Sequence, residues 1–158
     1  MVWLGIDLGE ARVGIAMSDP ELSFAHPEEN LSAGGDSFRV LDDVVDIVVD
    51  YGVERVVIGL PLLLDGGEGK SAKKARRWAT NLVKRLRGAV EEGRIGESNL
   101  PDVVMEDERL TTVSAHRQLN AAGLPGRAHR PDVDRQSAVL ILQAALDRLS
   151  KGCEANER

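Results

Sequence analysis

Val2-Trp3-Leu4-Gly5-Ile6-Asp7-Leu8-Gly9-Glu10 runs directly into Ala11-Arg12-Val13-Gly14-Ile15-Ala16-Met17. Val2, Leu4 and Ile6 recur at every second position, the period of a strand with one buried face. Asp7-Leu8-Gly9-Glu10 reads as a turn and Val13–Met17 as a second apolar run, so the chain is expected to open with a β-hairpin. A third strand is expected around Phe24–Leu31, after the Asp19-Pro20 turn, with Pro27 pointing to an edge or irregular position. Gly34-Gly35-Asp36 then breaks the chain.

Outward from the hairpin the period changes. Val40, Leu41, Val44, Val45, Ile47, Val48 and Tyr51 recur at helical spacing opposite Asp42, Asp43, Asp46 and Asp50, and Gly52 ends that helix. Val56-Val57-Ile58-Gly59-Leu60 is a continuous apolar run bounded by Pro61, as for a strand buried on both faces. After the glycine-rich loop 62–69, Ala72, Ala75, Trp78, Ala79, Leu82, Val83 and Leu86 mark an amphipathic helix closed by Gly88. Pro101–Met105 gives a further strand leading into Glu106-Asp107-Glu108-Arg109. Thr112 is a candidate N-cap for a helix through Ala122, Gly123–Asp132 is expected to be loop, and a last helix spans Val133 to Ser150. A hairpin followed by alternating helices and strands specifies an α/β domain, with a mixed five-stranded sheet flanked by helices, over residues 1–150 and a polar tail at 151–158.

The chain has 158 residues, 42% hydrophobic and 29% charged, with a formal net charge of −6. That composition fits one ordinary globular domain. No apolar run approaches the roughly eighteen residues of a membrane span, and Met1 leads straight into the first strand without a basic leader, so neither membrane insertion nor secretion is expected. Cys153 is the single cysteine; one chain can build neither a disulfide framework nor a cysteine-rich zinc site, which fits a reducing cytoplasm.

Net acidity opposes binding to a polyanion, but the charge is unevenly distributed. Residues 1–50 carry a net −9, residues 51–100 a net +4 and residues 101–158 a net −1. From Lys70 to Arg87 the bases Lys70, Lys73, Lys74, Arg76, Arg77, Lys84, Arg85 and Arg87 follow one another with no acid between them. This face is either a solvated helix surface or a phosphate contact giving salt-sensitive affinity without sequence readout. Trp78 lies on the apolar stripe and belongs to the core. Gly59 and Gly66 read as a close-approach and a turn glycine.

Asp7 stands at the end of the first strand, where ligand sites of open α/β sheets lie. It is equally readable as a turn aspartate capping Gly9 and Glu10. Glu106, Asp107 and Glu108 end another strand, and Glu106 and Glu108 share one parity along it. Asp134 precedes the last helix, where it competes with Asp132 as an N-cap. Hard divalent cations take oxygen ligands, and a pair about 4 Å apart can activate a water and stabilise a leaving oxygen in phosphodiester cleavage. Carboxylates from the first strand, a later strand end and the last helix can converge in an α/β sheet.

Gly5-Ile6-Asp7-Leu8-Gly9, Arg12–Ala16, Val57–Leu62 with Asp65-Gly66, Asp107-Glu108-Arg109-Leu110-Thr111-Thr112, and Val133-Asp134 leading into Ser137-Ala138 and Ile141-Leu142-Gln143 together resemble the YqgF family. Its members are bacterial RNase H-like proteins described as Holliday-junction resolvases and as nucleases maturing the 5′ end of pre-16S rRNA. The blocks run in the family order from Val2 to about Ser150.

The resemblance implies an RNase H-like fold with Asp7, Glu108 and Asp134 as catalytic, metal-binding acids holding Mg²⁺ or Mn²⁺, as a pair of ions. It selects Glu108 among three adjacent acids and leaves Glu106 and Asp107 as solvated neighbours. Arg109 and Thr111 would support the site or contact phosphate, Arg109 being nearly as readable as a plain surface ion-pair partner. Lys70, Lys73, Lys74, Arg77, Arg109, Arg127 and Arg130 are the candidate nucleic-acid contacts, and His129 a candidate accessory. Three stretches depart from the family pattern: Glu10-Ala11 beside Asp7, Leu63-Leu64 in place of an Asn-Met pair, and Arg127-Ala128-His129-Arg130-Pro131 where lysines are common. None of them touches the three acids.

The expected activity is metal-dependent hydrolysis of phosphodiester bonds in structured RNA, in 5′ processing of pre-16S rRNA, by a cytoplasmic monomer or homodimer. The alternative in the same class is a Holliday-junction resolvase acting on four-way DNA. From other classes come a nucleic-acid-binding module without turnover, and an actin-like ATPase suggested by Asp7-Leu8-Gly9 but requiring two such domains.

Overall fold

The computed structural model describes residues 1–110 and 130–156, with side chains over 1–109 and 137–150. The expected helix from Thr112 to Ala122 lies outside the described residues, as do His116, Arg127 and His129.

β1 (Val2–Leu8) and β2 (Arg12–Ser18) form the expected antiparallel hairpin, with Leu4 opposite Met17 and Leu8 opposite Val13. β3 (Ala25–Pro27) and β4 (Leu31–Ser32) both pair antiparallel with β2. β5 (Val53–Leu60) runs parallel to β1, and β6 (Asp102–Asp107) parallel to β5. The sheet order is β3-β2-β1-β5-β6, with β4 beside β2.

The sheet thus has six strands where five were expected. The stretch read as one third strand is split, because its register on β2 slips by one residue. Ala16 faces Pro27 but Val13 faces Leu31. An extra residue on one strand forces a bulge, and Pro27 has no N–H with which to continue the ladder.

Side-chain alternation sorts the strands into two layers. Leu4, Ile6, Val13, Ile15, Val56 and Ile58 pack on one face against α1 (Leu41–Tyr51) and α2 (Lys70–Glu91). Trp3, Ala16 and Val57 pack on the other against Ala138, Ile141, Leu142, Ala145 and Leu146 of α3 (Arg130–Asn156). Trp78 is fully buried, as its place on the apolar stripe required, and its indole N–H donates to the Ser37 carbonyl at 2.8 Å.

Helix ends follow capping chemistry with two departures. Gly52 closes α1 at φ 63°, as expected. Gly88 does not close α2. The helix continues to Glu91 because Ala89 is buried on the core, and Gly93, at φ 78°, makes the reversal instead. A mid-helix glycine costs about 1 kcal/mol, which such burial offsets. α3 starts at Arg130, three residues before the expected position, with Pro131 in its first turn where a missing N–H is tolerated. Asp132 and Asp134 therefore lie inside the helix, and neither is its N-cap. The helix also extends past Ser150 to Asn156.

Candidate active site

Parallel register carries two of the expected acids to one end and one face of the sheet. Asp7 is the penultimate residue of β1, on the same face as Trp3 and Gly5, and is 5% exposed. Ile6 pairs with Ile58, so Gly59 is the next residue of β5 alongside Asp7. Gly59 pairs with Glu106 on β6. Glu108 follows the end of β6 and is 3% exposed.

The glycine in the middle strand makes the arrangement possible. A Cβ on Gly59 would lie 2.5 Å from Glu108 Oε1 and 2.6 Å from Ile141 Cδ1. The Glu108 carboxylate therefore lies over β5 in the space a side chain would take, beside the strand that carries Asp7, about 4.8 Å away at normal sheet spacing. Gly5 performs the same service one layer deeper: a Cβ there would lie 2.7 Å from Leu142 Cβ and 2.9 Å from the Ala138 carbonyl oxygen, so α3 rests directly on β1. Asp134 belongs to the helix backbone one turn before Ala138; its side chain lies outside the described residues.

Asp7 and Glu108 are buried oxygen donors at the ends of the two strands that flank β5, the donor type that Mg²⁺ and Mn²⁺ take and softer metals do not prefer. Among the described residues no group of three or more His, Cys, Asp or Glu is arranged to hold a metal ion. The two acids are thus a partial donor set that fits a hard divalent cation and needs a further ligand.

The neighbouring acids are not the solvated pair expected. Glu106 is 1% exposed and faces α3, where both its oxygens accept from the Arg148 guanidinium. Its parity with Glu108 put it on the buried face, and burial of a carboxylate demands a paired cation. The carboxylate also raises the Arg148 pKa above the usual guanidinium range. Strand parity was the available signal for Glu106; its partner, 42 residues away, had none.

Asp107, on the opposite parity, is partly buried and bound to Arg109. It accepts from Arg109 Nη2 at 2.8 Å, from Nε at 3.1 Å and from the backbone N–H at 2.9 Å. The Arg109 side-chain bond holds the Asp107 carboxyl below the usual carboxylate value. Of the two readings of Arg109 the ion pair is therefore present, and its guanidinium also lies beside Gly66, 3.3 Å from where a Cβ would be. Gly66 itself turns the loop at φ 90°.

Of the basic candidates, Lys70, Lys73 and Arg77 are exposed on α2 and Lys74 is half-buried. Arg130 is the first residue of α3, with its side chain outside the described residues. Among the described residues no helix is long and apolar enough to cross a membrane.

Comparison with solved structures gives the fold its class. Thermus thermophilus RuvC in complex with a Holliday junction substrate superposes with a TM-score of 0.53 at 20% identity, covering 95% of this chain and 96% of that one. A second Thermus thermophilus RuvC structure gives a TM-score of 0.51 at 16% identity, covering 95% of this chain and 97% of that one. The mixed sheet with acids at its strand ends is thus an RNase H-like fold. Residues 1–148 match the RuvX family model, described as Holliday junction resolvase. A Bifidobacterium adolescentis protein, provisionally named a pre-16S rRNA nuclease, is 64% identical over 148 residues, covering 94% of this chain and 98% of the relative. A Rhodococcus opacus protein with the same provisional name is 40% identical over 157 residues, covering 98% and 82%. The chain belongs to the RuvX family of nucleases, the YqgF family to which its sequence blocks pointed.

Proposed function

We propose that the protein is a divalent-metal-dependent nuclease that hydrolyses phosphodiester bonds in structured RNA, at the 5′ end of pre-16S rRNA during ribosome biogenesis. The observation that carries this reading is the Glu108 carboxylate seated over Gly59 beside the strand end of Asp7. The provisional names of the relatives support the RNA substrate. Asp7, Glu108 and Asp134 would hold Mg²⁺ or Mn²⁺, in a two-ion arrangement. When bound, the metal supplies activation of water and stabilisation of the leaving oxygen. Asp7 would be held by the β1 ladder, and the Glu108 carboxylate lies in the space over Gly59, which supports a role for these two donors at one sheet end. Lys70, Lys73, Lys74, Arg77, Arg109, Arg127 and Arg130 would contact the substrate backbone.

The second reading, cleavage of four-way DNA, is favoured by the description of the family and by the likeness to RuvC. Two symmetric cuts would require a homodimer, whereas RNA processing sets no such requirement and is open to a monomer or a homodimer. Either activity would be cytoplasmic and carried by residues 1–150, with 151–158 as a polar extension; the family match ends at residue 148.

Cleavage of a pre-16S rRNA 5′ leader and of a four-way DNA junction, side by side with Mg²⁺ and with Mn²⁺, tests the proposal. The expected result is metal-dependent cutting of the RNA, abolished in a folded Asp7→Asn variant. Full activity in that variant would overturn the site assignment. Faster cutting of the junction would select the second reading, and tight binding without cleavage of either substrate a non-catalytic module.

A further inference from the structure

The basic face of α2 is divided by ion pairing in a way its composition does not reveal. Arg76 is bound by Glu68, and Arg85 pairs with Asp42 of α1 at 2.5 Å. Lys70, Lys73, Arg77, Lys84 and Arg87 are exposed, and none of them forms an ion pair among the described residues. At about 100° per residue these five fall within roughly 100° of one another, opposite the buried stripe of Ala72, Ala75, Trp78, Leu82, Leu86 and Ala89. The two paired arginines lie to either side of them. Acids from neighbouring segments thus pair the two flanking arginines, and five exposed cations share one outward ridge, with the half-buried Lys74 beside it on the Arg85 side.

The ridge has a direction. The first turns of α2 pack through Ala72 and Ala75 against Leu60 and Leu8, the residues at the ends of β5 and β1 next to Gly59 and Asp7. The helix then runs back along the sheet, so Lys70 and Lys73 lie at the end that carries the acids and Arg87 lies toward the far end. From Lys70 to Arg87 the ridge is about 25 Å long at 1.5 Å per residue, roughly seven base-pair steps measured along a duplex axis at 3.4 Å each.

We propose that this ridge, Lys70, Lys73, Arg77, Lys84 and Arg87, is a nucleic-acid docking rail that carries the phosphodiester backbone of a substrate arm away from the catalytic end, while Arg76 and Arg85 take no part. The inference rests on the nuclease reading for the identity of the substrate. It adds Lys84 and Arg87 to the contact surface and excludes two arginines, also exposed, on grounds of pairing. Because α2 lies on the layer opposite α3, a substrate spanning ridge and acids crosses the end of the sheet past the loop 61–69. Contacts of this kind position a backbone and carry no base readout.

The test is salt-dependent binding without divalent metal, followed by fluorescence anisotropy of a labelled RNA stem-loop and of a labelled four-way DNA junction. Each substrate is titrated with the intact protein, a ridge variant (Lys73→Ala, Arg77→Ala and Lys84→Ala together) and a flank variant (Arg76→Ala with Arg85→Ala). Each phosphate that is no longer neutralised should lower the slope of log affinity against log salt by about 0.9, so the ridge variant should lose roughly 2 to 3 in slope and at least about tenfold in affinity. The flank variant should keep the slope of the intact protein, and Lys73→Arg with Lys84→Arg should restore what alanine removes. Whichever nucleic acid shows the larger ridge dependence is the arm the rail accepts. An unchanged slope in the ridge variant, or an equal loss in the flank variant, overturns the proposal. Parallel cleavage by the intact protein and Asp7→Asn separates the two claims. Ridge-dependent binding without cleavage leaves the rail standing and removes the nuclease reading; Asp7-dependent cleavage with a ridge-independent slope does the reverse.

Discussion

The carboxylate of Glu108 fills the space that Gly59 leaves vacant: a Cβ at position 59 would stand 2.5 Å from Glu108 Oε1. The glycine in the strand between the two acid-bearing strands therefore holds the site open. Gly59→Ala should move the Glu108 carboxylate and the Ile141 methyl, both the free ends of side chains, at a stability cost of about 1 kcal/mol. Cleavage should fall by about a hundredfold or more, because displacement of a catalytic group by an ångström is that costly. Urea unfolding together with metal-titrated cleavage checks both halves; undiminished cleavage by a folded variant would show that the position of Glu108 does not matter.

Gly5→Ala meets a different obstacle. Its Cβ would strike the Ala138 backbone oxygen and Leu142 Cβ, neither of which can swing aside, so α3 would have to lift from β1. A loss of about 3 kcal/mol is expected, larger than for Gly59→Ala. Denaturant midpoints of the two variants measured under one condition give the comparison.

Removing Arg148 strands a buried carboxylate. Arg148→Ala should destabilise the fold by about 2 kcal/mol, since Glu106 keeps its burial and loses its cation. Adding Glu106→Gln to that variant should recover part of the loss, because a neutral amide is cheaper to bury. A double-mutant cycle in urea measures the coupling, and strict additivity would mean that the pair is energetically idle.

Asp107 contributes a pH dependence whose sign follows from its environment. Arg109 holds its carboxyl below the ordinary 3.8, so the folded state binds that proton less readily than the unfolded chain. The resulting stabilisation is fully present above 3.8 and is lost as the pH falls through the lower folded value. The intact protein should therefore exceed Asp107→Asn in stability at neutral pH, with the gap closing in acid. Thermal melts of both proteins from pH 7 downward follow it; a gap that widens in acid would contradict the pairing.

Local periodicity was enough to read much of this protein. The period-2 run of β1, the apolar run of β5 and the amphipathic stripe around Trp78 each depend on neighbours a few residues apart, and each folds as read; the turn expected from Asp7 to Glu10 starts two residues later, because Asp7 and Leu8 pair with Gly14 and Val13 and stay in the strand. The family blocks then singled out Asp7, Glu108 and Asp134 among many acids. What periodicity conveys is which face a residue takes, not which residue it meets there. The split third strand depends on a one-residue slip against β2, and the continuation of α2 through Gly88 on the burial of Ala89. Glu106 was read as solvated although its parity with Glu108 pointed inward, its cation came from α3, and Arg76 and Arg85 differ from Lys73 and Arg77 by acids that other segments bring alongside. Sequence by itself determined the elements, their buried faces and the chemistry available. Tertiary structure alone decided which charges are cancelled and which are left to act, because ion pairs and close approaches join residues far apart in the chain whose distance is set by sheet register and helix packing.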